Sequence, residues 1–257
     1  MKLGFRFLYV CFFILFTIAH SFGDDIVLVS DIWCPINCEP NSSEPGYMIE
    51  IAQSAFNKAG HKVIYKILPW ARAVKETRNA MYTGVIGPYV EDVPDFVFPE
   101  NELGMIGFSI FVSKDNTWKY DGIKSLTSIS LGVIRDYEYD ETINTYIDNN
   151  LSEMNKIQMA SGDNALEINI NKLDKGRIDA VIENSIIFLY TANKLGIKDR
   201  FISAGVAVEP KKVYIAFSPA NPKSKEYAKI LSDGVEALRK SGELVKILKK
   251  YGLKDWK

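Results

Sequence analysis

The chain has 257 residues, 31 basic against 32 acidic side chains, a formal net charge of −1 and 47% hydrophobic content. No basic excess is available to hold a polyanion, so a nucleic-acid partner is excluded as a reading. The length and apolar content suit one large α/β unit or two smaller lobes, and neither a low-complexity run nor an internal repeat interrupts it.

The first residues, "MKLGFRFLYVCFFILFTIAHSFGDD", place Lys2 and Arg6 ahead of an apolar stretch from Phe7 to Ala19, then Ser21 and Gly23 before two aspartates. That order is the order of a secretory signal peptide. The stretch is shorter than the roughly twenty apolar residues of a membrane span. Residues 1–23 are therefore read as a leader removed before Asp24, leaving an exported, periplasmic protein.

Export bears on the cysteines. Loss of Cys11 with the leader leaves Cys34 and Cys38 in "DIWCPINCEP", in a compartment where thiols oxidise. Zinc would need four ligands, and His61 is the one histidine beyond the leader. Redox centres usually have two residues between their cysteines; here there are three. The expectation is a structural disulfide closing a tight loop, with no metal and no cofactor.

From there strands and helices alternate. "IVLVS" (26–30) reads as a strand, and "PGYMIEIAQSAFNKAG" as a helix with Met48, Ala52, Ala55, Phe56 and Ala59 on one face. "KVIYKI" (62–67), "ARAVKETRNA" and "GVIG" (84–87) continue as strand, helix and short buried strand. This β-α-β-α-β order implies a parallel sheet whose ligand sites lie beyond the carboxyl ends of its strands. After "GFSIFVSKDN" (107–116) the order restarts: "ISLGVI", "EYDETINTYIDNN", "KIQMA", "DNALEININ", "IDAVI" and "SIIFLYTANKLG". "KKVYIAFSP" (211–219) is extended, and "KSKEYAKILSDGVEALRKSG" and "ELVKILKKYG" close the chain as helices, their lysines on a solvated face.

The run "PGYMIEIAQSAF", "LPWARA", "SLTSISLGVI", "LDKGRIDAVIEN" and above all "VYIAFSPANPKSKEYAKILSDGVEALRKSGELVKILKKYG" resembles the extracytoplasmic solute-binding proteins that include the polar amino-acid receptors of ABC transporters. The resemblance covers Ile26 to Trp256. It implies the type II periplasmic-binding-protein fold: two α/β lobes joined by crossovers near Phe108 to Val112 and Val213 to Phe217. Residues 24–110 and 214–257 would form a discontinuous first lobe, and 111–213 the second. A monomer is expected, with a small-molecule ligand and an inner-membrane ABC permease as partners.

The resemblance also implies site residues. Trp33 matches a position where the family offers an aromatic, and Tyr47, at the start of the first helix, is a second candidate or a packing residue. Trp70 and Arg72 sit at a strand-to-helix junction, where an arginine can hold a carboxylate by a two-pronged pair. Tyr89 in "GPYV" occupies a hydroxyl position. "GVIRDYEYD" matches the turn whose free amides receive a ligand anion, with Arg135 and Tyr137 supplementing it. Two departures stand out: Asp92 falls where the receptors carry an arginine for the α-carboxylate, and Asn184, preceded by Glu183, falls where they carry an acid for the α-amino group. An ordinary α-amino acid is thus disfavoured. Arg72 with Arg135 points to an acidic or multiply polar molecule, while Trp33, Trp70, Tyr89 and Tyr137 suit a ring or a sugar face. Two other functions compete: a sensor serving a membrane signalling partner, and a dehydratase on the same fold using Glu183 with Arg72.

Overall fold

The computed structural model describes residues 23–135, 137, 139–162 and 164–257; nearly all of the expected leader lies outside them. In chain order the elements are β1 (Asp25–Ser30), α1 (Tyr47–Lys58), β2 (Lys62–Ile67), α2 (Trp70–Arg78), β3 (Gly84–Ile86), β4 (Gly104–Ser113), β5 (Leu131–Ile134), α3 (Glu141–Asn150), β6 (Ile157–Ala160), α4 (Ala165–Asp174), β7 (Ala180–Asn184), α5 (Ser185–Lys194), β8 (Phe201–Val213), β9 (Ile215–Phe217), α6 (Ser224–Ser241) and α7 (Glu243–Lys250).

Two sheets result. The first has the order β2-β1-β3-β9 and the second β6-β5-β7-β4-β8. Strands linked through helices pair in parallel, as β-α-β connections require: β1 with β2 and β3, and β5 with β6 and β7. Strands that carry the chain between sheets pair antiparallel: β9 on β3, and β4 between β7 and β8. The chain enters the second sheet at Gly104, ahead of the expected boundary at 111, and re-enters the first between Val213 and Ile215. Phe108 to Val112, expected as a crossover, lies inside β4. The residues 201–210, not assigned to a strand from the sequence, form the first part of β8.

The β4–β8 pairing is long but irregular. Its register shifts between Ile106 and Phe108, where Gly107 faces Pro210. Proline has no amide to donate, and a side chain at Gly107 would come within 2.6 Å of the Val208 carbonyl and 2.8 Å of Pro210. Glycine is what lets the two backbones pass each other there.

The core beneath the first sheet is built from both ends of the chain. Leu28 and Phe56 meet Phe217, Tyr227, Leu231, Val235 and Leu248 in one buried cluster. At about 1.5–3 kcal/mol for each large apolar side chain taken out of water, this cluster ties the first strands to the last two helices. Helices α1 and α6 approach closely because Gly234 faces Ala55; a β-carbon at 234 would sit 2.3 Å from that of Ala55. The second sheet has its own clusters, with Phe188 of α5 packed between Phe111 and Phe201.

Tyr47 belongs to the first core and does not line the cleft at the carboxyl ends of the strands. It is fully buried, edge-on to Tyr251 at 6.4 Å and tilted against Trp256. The helix α1 is buried on more than the one face read from its apolar spacing, because α6 and α7 cover it from two sides. His61 sits at the amino ends of β1 and β2, opposite their carboxyl ends: its Nδ1 accepts the Asp24 amide at 3.0 Å.

Tyr251 performs a second service. Its hydroxyl accepts the Gly46 amide at 3.0 Å and donates to Glu50 Oε1 at 2.6 Å, fixing the residue that leads into α1. Gly46 has φ +111°, and a side chain there would strike Asn37 and the Ile36 carbonyl at 2.5 Å. Replacing Tyr251 with Phe strands the Gly46 amide and is expected to cost about 1–3 kcal/mol in urea unfolding at unchanged m-value. Stability within a few tenths of wild type would show that water replaces the phenol.

Candidate functional site

A cleft of about 500 Å³ opens at the carboxyl ends of the strands, with one wall from each sheet. From the first sheet come Ser30 at the end of β1 with Asp31 to Trp33 after it, Trp70 at the start of α2, and Ile86 at the end of β3 with Gly87, Tyr89 and Asp92 after it. The second sheet supplies Phe108 of β4, Tyr137 after β5, and Glu183, Asn184 and Ile187 at the β7–α5 junction. Parallel strands deliver their ends to one edge, which is why residues distant in sequence converge there.

Local bonds hold the first wall. The disulfide joins Cys34 to Cys38, and the loop it closes is bonded at both ends: Trp33 N–H donates to the Asn37 carbonyl at 2.8 Å, and Cys38 N–H to Pro45 at 2.7 Å. Asn37 also donates to the Asp31 carbonyl and, at 3.0 Å, to the Tyr65 hydroxyl. The start of α1 buttresses the loop through Tyr47 N–H to Pro35 and Met48 N–H to Ile36. The indole of Trp33 then lies over Gly87, where a β-carbon would touch it at 3.4 Å. After β3, Asp92 accepts the Tyr89 amide at 2.9 Å, so the donor in that turn is already taken by the protein's own carboxylate.

The second wall contains two buried atoms without partners. Glu183 is fully buried; its Oε1 accepts the Asn184 amide at 2.7 Å and its Oε2 has no partner. Burial pushes its carboxyl up from the ordinary 4.5 to about 8. Asn184 caps α5 with Oδ1, which accepts from Ile186 and Ile187 N–H, and its Nδ2 is left unbonded. Leaving a buried donor and acceptor unsatisfied costs free energy unless something fills the site. Tyr139 supports this wall from behind: its hydroxyl accepts the Ile134 amide at 3.1 Å and its ring stands edge-on to Phe108 at 5.1 Å. Burial raises the Tyr89 and Tyr137 phenols to about 12, so both remain neutral donors.

Of the nine residues expected at the site, Trp33, Trp70, Tyr89, Tyr137, Glu183 and Asn184 line the cleft. Tyr47 is in the core, as described. Arg72 points to solvent with its side chain 61% exposed and donates to Glu76 at 2.7 Å. The reason is helical geometry: two residues after Trp70 the chain has turned by roughly 200°, so the two side chains leave opposite faces. Arg135 is exposed and outside the lining. Sequence reasoning missed Asp31, Phe108 and Ile187. Asp31 directly follows a strand end, the one signal that pointed to it; Phe108 lay in a segment assigned to a crossover. Among the described residues no group of three or more His, Cys, Asp or Glu is placed to hold a metal ion, and no helix is long and apolar enough to cross a membrane.

Below its folded value the Glu183 carboxyl keeps a proton that the unfolded chain releases near its ordinary value. The native state therefore binds more protons between about pH 4.5 and 8, and stability falls as pH rises through that window. Glu183→Gln should abolish the decline, giving a variant more stable than wild type at pH 8, by up to a few kcal/mol, and nearly equal to it at pH 4.5. Parallel pH profiles of the melting temperature would contradict this.

Comparison with solved structures places the fold. A polar amino acid ABC uptake transporter substrate-binding protein from Streptococcus thermophilus matches with TM-score 0.69 and 20% identity, over 88% of this chain and 85% of that one. Substrate-binding domain 2 of Lactococcus lactis GlnP, in an open conformation, matches with TM-score 0.65 and 19% identity, over 88% and 94%. A histidine kinase sensor domain with similarity to periplasmic binding proteins matches with TM-score 0.57 and 15% identity, over 88% and 95%. The chain matches no protein-family model, and no curated protein sequence is similar to it. The fold is that of the two-lobed solute-binding proteins.

Proposed function

We propose that this protein is an extracytoplasmic solute receptor that captures a small polar molecule between two lobes, 24–103 with 214–257 and 104–213, and presents the closed form to an ABC permease. The observation that carries the reading is the cleft itself. Aromatic side chains from both sheets line one space, and so do Glu183 and Asn184, whose Oε2 and Nδ2 are buried without a partner. A ligand that touches both walls stabilises the closed arrangement by the difference in its affinity for closed and open forms, and no covalent step is needed. The neighbours named above include the substrate-binding protein of a polar amino acid ABC uptake transporter, which supports the transport role. The order of residues 1–23, read as a leader, supports a periplasmic location.

The sensor neighbour supports a second reading, in which the closed form is read by a membrane signalling protein. The dehydratase reading loses its basic clamp, since Arg72 is bonded to Glu76 away from the cleft.

Thermal-shift screening of amino acids, dicarboxylates, polyamines, sugars and aromatic acids, followed by small-angle scattering of any hit, tests capture. A ligand should raise the melting temperature with its concentration and reduce the radius of gyration, without turnover. Consumption of the ligand would overturn the receptor reading, and a rise without compaction would remove closure from it. Replacing Cys34 and Cys38 together with Ser should cost about 2 kcal/mol or less in unfolding, because the closed loop is short, while weakening ligand binding through Trp33. Unaltered affinity in that variant would show that the loop holds its shape without the bridge.

A further inference from the structure

We infer that the ligand of this cleft is a small organic cation, an amine or ammonium compound held without a carboxylate clamp. The inference rests on the proposed capture function and specifies its substrate class.

Charge is the first ground. The lining carries Asp31 and Asp92 on one wall, and among the described residues it contains no lysine or arginine. The two arginines that pointed to an acidic ligand are both outside it. Where a ligand carboxylate would need free amides after β3, Asp92 already occupies the Tyr89 N–H and adds a like charge. An anion would enter a field of its own sign.

The second ground is independent of the charge count. Glu183 lines the cleft, and its Oε2 is buried there without a partner. Ionised, that carboxyl accepts from an ammonium N–H as a charged partner, whereas an anion can meet it only in its protonated form, as a single neutral donor. The aromatic faces point the same way, since Trp33, Trp70, Tyr89, Phe108 and Tyr137 enclose the space and a cation is attracted to ring faces. The unbonded Asn184 Nδ2 adds one donor, suited to a hydroxyl or carbonyl oxygen elsewhere on the same molecule.

Binding then carries a proton signature. The titratable groups facing Glu183 among the described residues are the phenols of Tyr137 and Tyr139, and the strand beside it presents the uncharged Ser109. The first turn of α5 offers the uncharged Ser185, and Asp31 and Asp92 stand on the opposite wall. The carboxyl, largely protonated at neutral pH, would lose its proton to solvent as the cation arrives, because an adjacent positive charge favours the ionised form.

The test is calorimetry on the exported protein, oxidised, at pH 7 in two buffers of different ionisation enthalpy. The probes are 1,4-diaminobutane, ethanolamine and choline, set against glutamine, glutamate and succinate. The inference expects at least one amine to bind with proton release approaching one per ligand and with affinity that falls as salt rises. It expects Glu183→Gln to weaken that amine at least tenfold and to abolish the buffer dependence. Asp31→Asn, at an exposed position, should weaken it several-fold should the first variant fold poorly. Equal or tighter binding of glutamine, glutamate or succinate would overturn the inference and leave capture intact. Undiminished amine affinity in both variants would overturn it too. Silence from all six probes and from the wider screen, with the protein folded, would overturn both the inference and the receptor reading beneath it.

Discussion

The pairing of β4 with β8 is the constraint on which the two-sheet arrangement depends. It carries the chain into the second sheet at Gly104 and out at Val213, two residues that face each other across the ribbon. A ribbon of two antiparallel strands resists stretching and shear, since that would break hydrogen bonds, but it bends where its ladder is interrupted. One of its three interruptions is at Gly107 and Pro210, and Phe108, the next residue, lines the cleft. That break in the ladder and the cleft wall are thus adjacent in the chain. The proposed capture requires two sheets joined in this way to keep their internal geometry while the angle between them changes, as in hinge closure.

The cleft walls differ in how they are made. On the first sheet the wall is rigid: a cross-linked loop, a buttressing helix start and a self-satisfied turn place Trp33 and Tyr89 before any ligand arrives. Order established in advance lowers the entropy lost on binding. On the second sheet the wall is polar and incomplete, with its burial cost borne by the fold and its compensation left to the ligand. Specificity then follows from what each wall refuses as much as from what it accepts.

Most of the fold was legible because its helices and strands are punctuated by the usual signals. The stops at Gly60, Gly87 and Gly242 have positive φ, and α6 shows a regular apolar stripe. The first part of β8 was hidden because Gly205 and Pro210 fall within it, residues that ordinarily argue against a strand. At the site, strand-end residues such as Trp33, Glu183 and Asn184 were readable, since strand ends converge whatever the details of packing. Of the helix-borne candidates, Trp70 reaches the cleft while Tyr47 and Arg72 do not. Whether Tyr47 or Arg72 faces the cleft depends on a rotation of about 100° per residue and on which neighbours cover the helix, and the sequence carries that only through contacts formed in the folded state.

The contribution of β9, α6 and α7 to the first core has a consequence for the order in which the molecule is assembled. The second sheet is one uninterrupted stretch of chain and possesses all of its strands once β8 is made. The first sheet cannot close its core until the chain's final helices meet α1, although its strands are the earliest to appear. A chain emerging from its N-terminus therefore has half of a nucleus waiting, with Leu28, Ile51 and Phe56 uncovered, while a later region completes itself. The earliest-made apolar surface is the last to be hidden, and that interval is where chaperone contact has the most to protect.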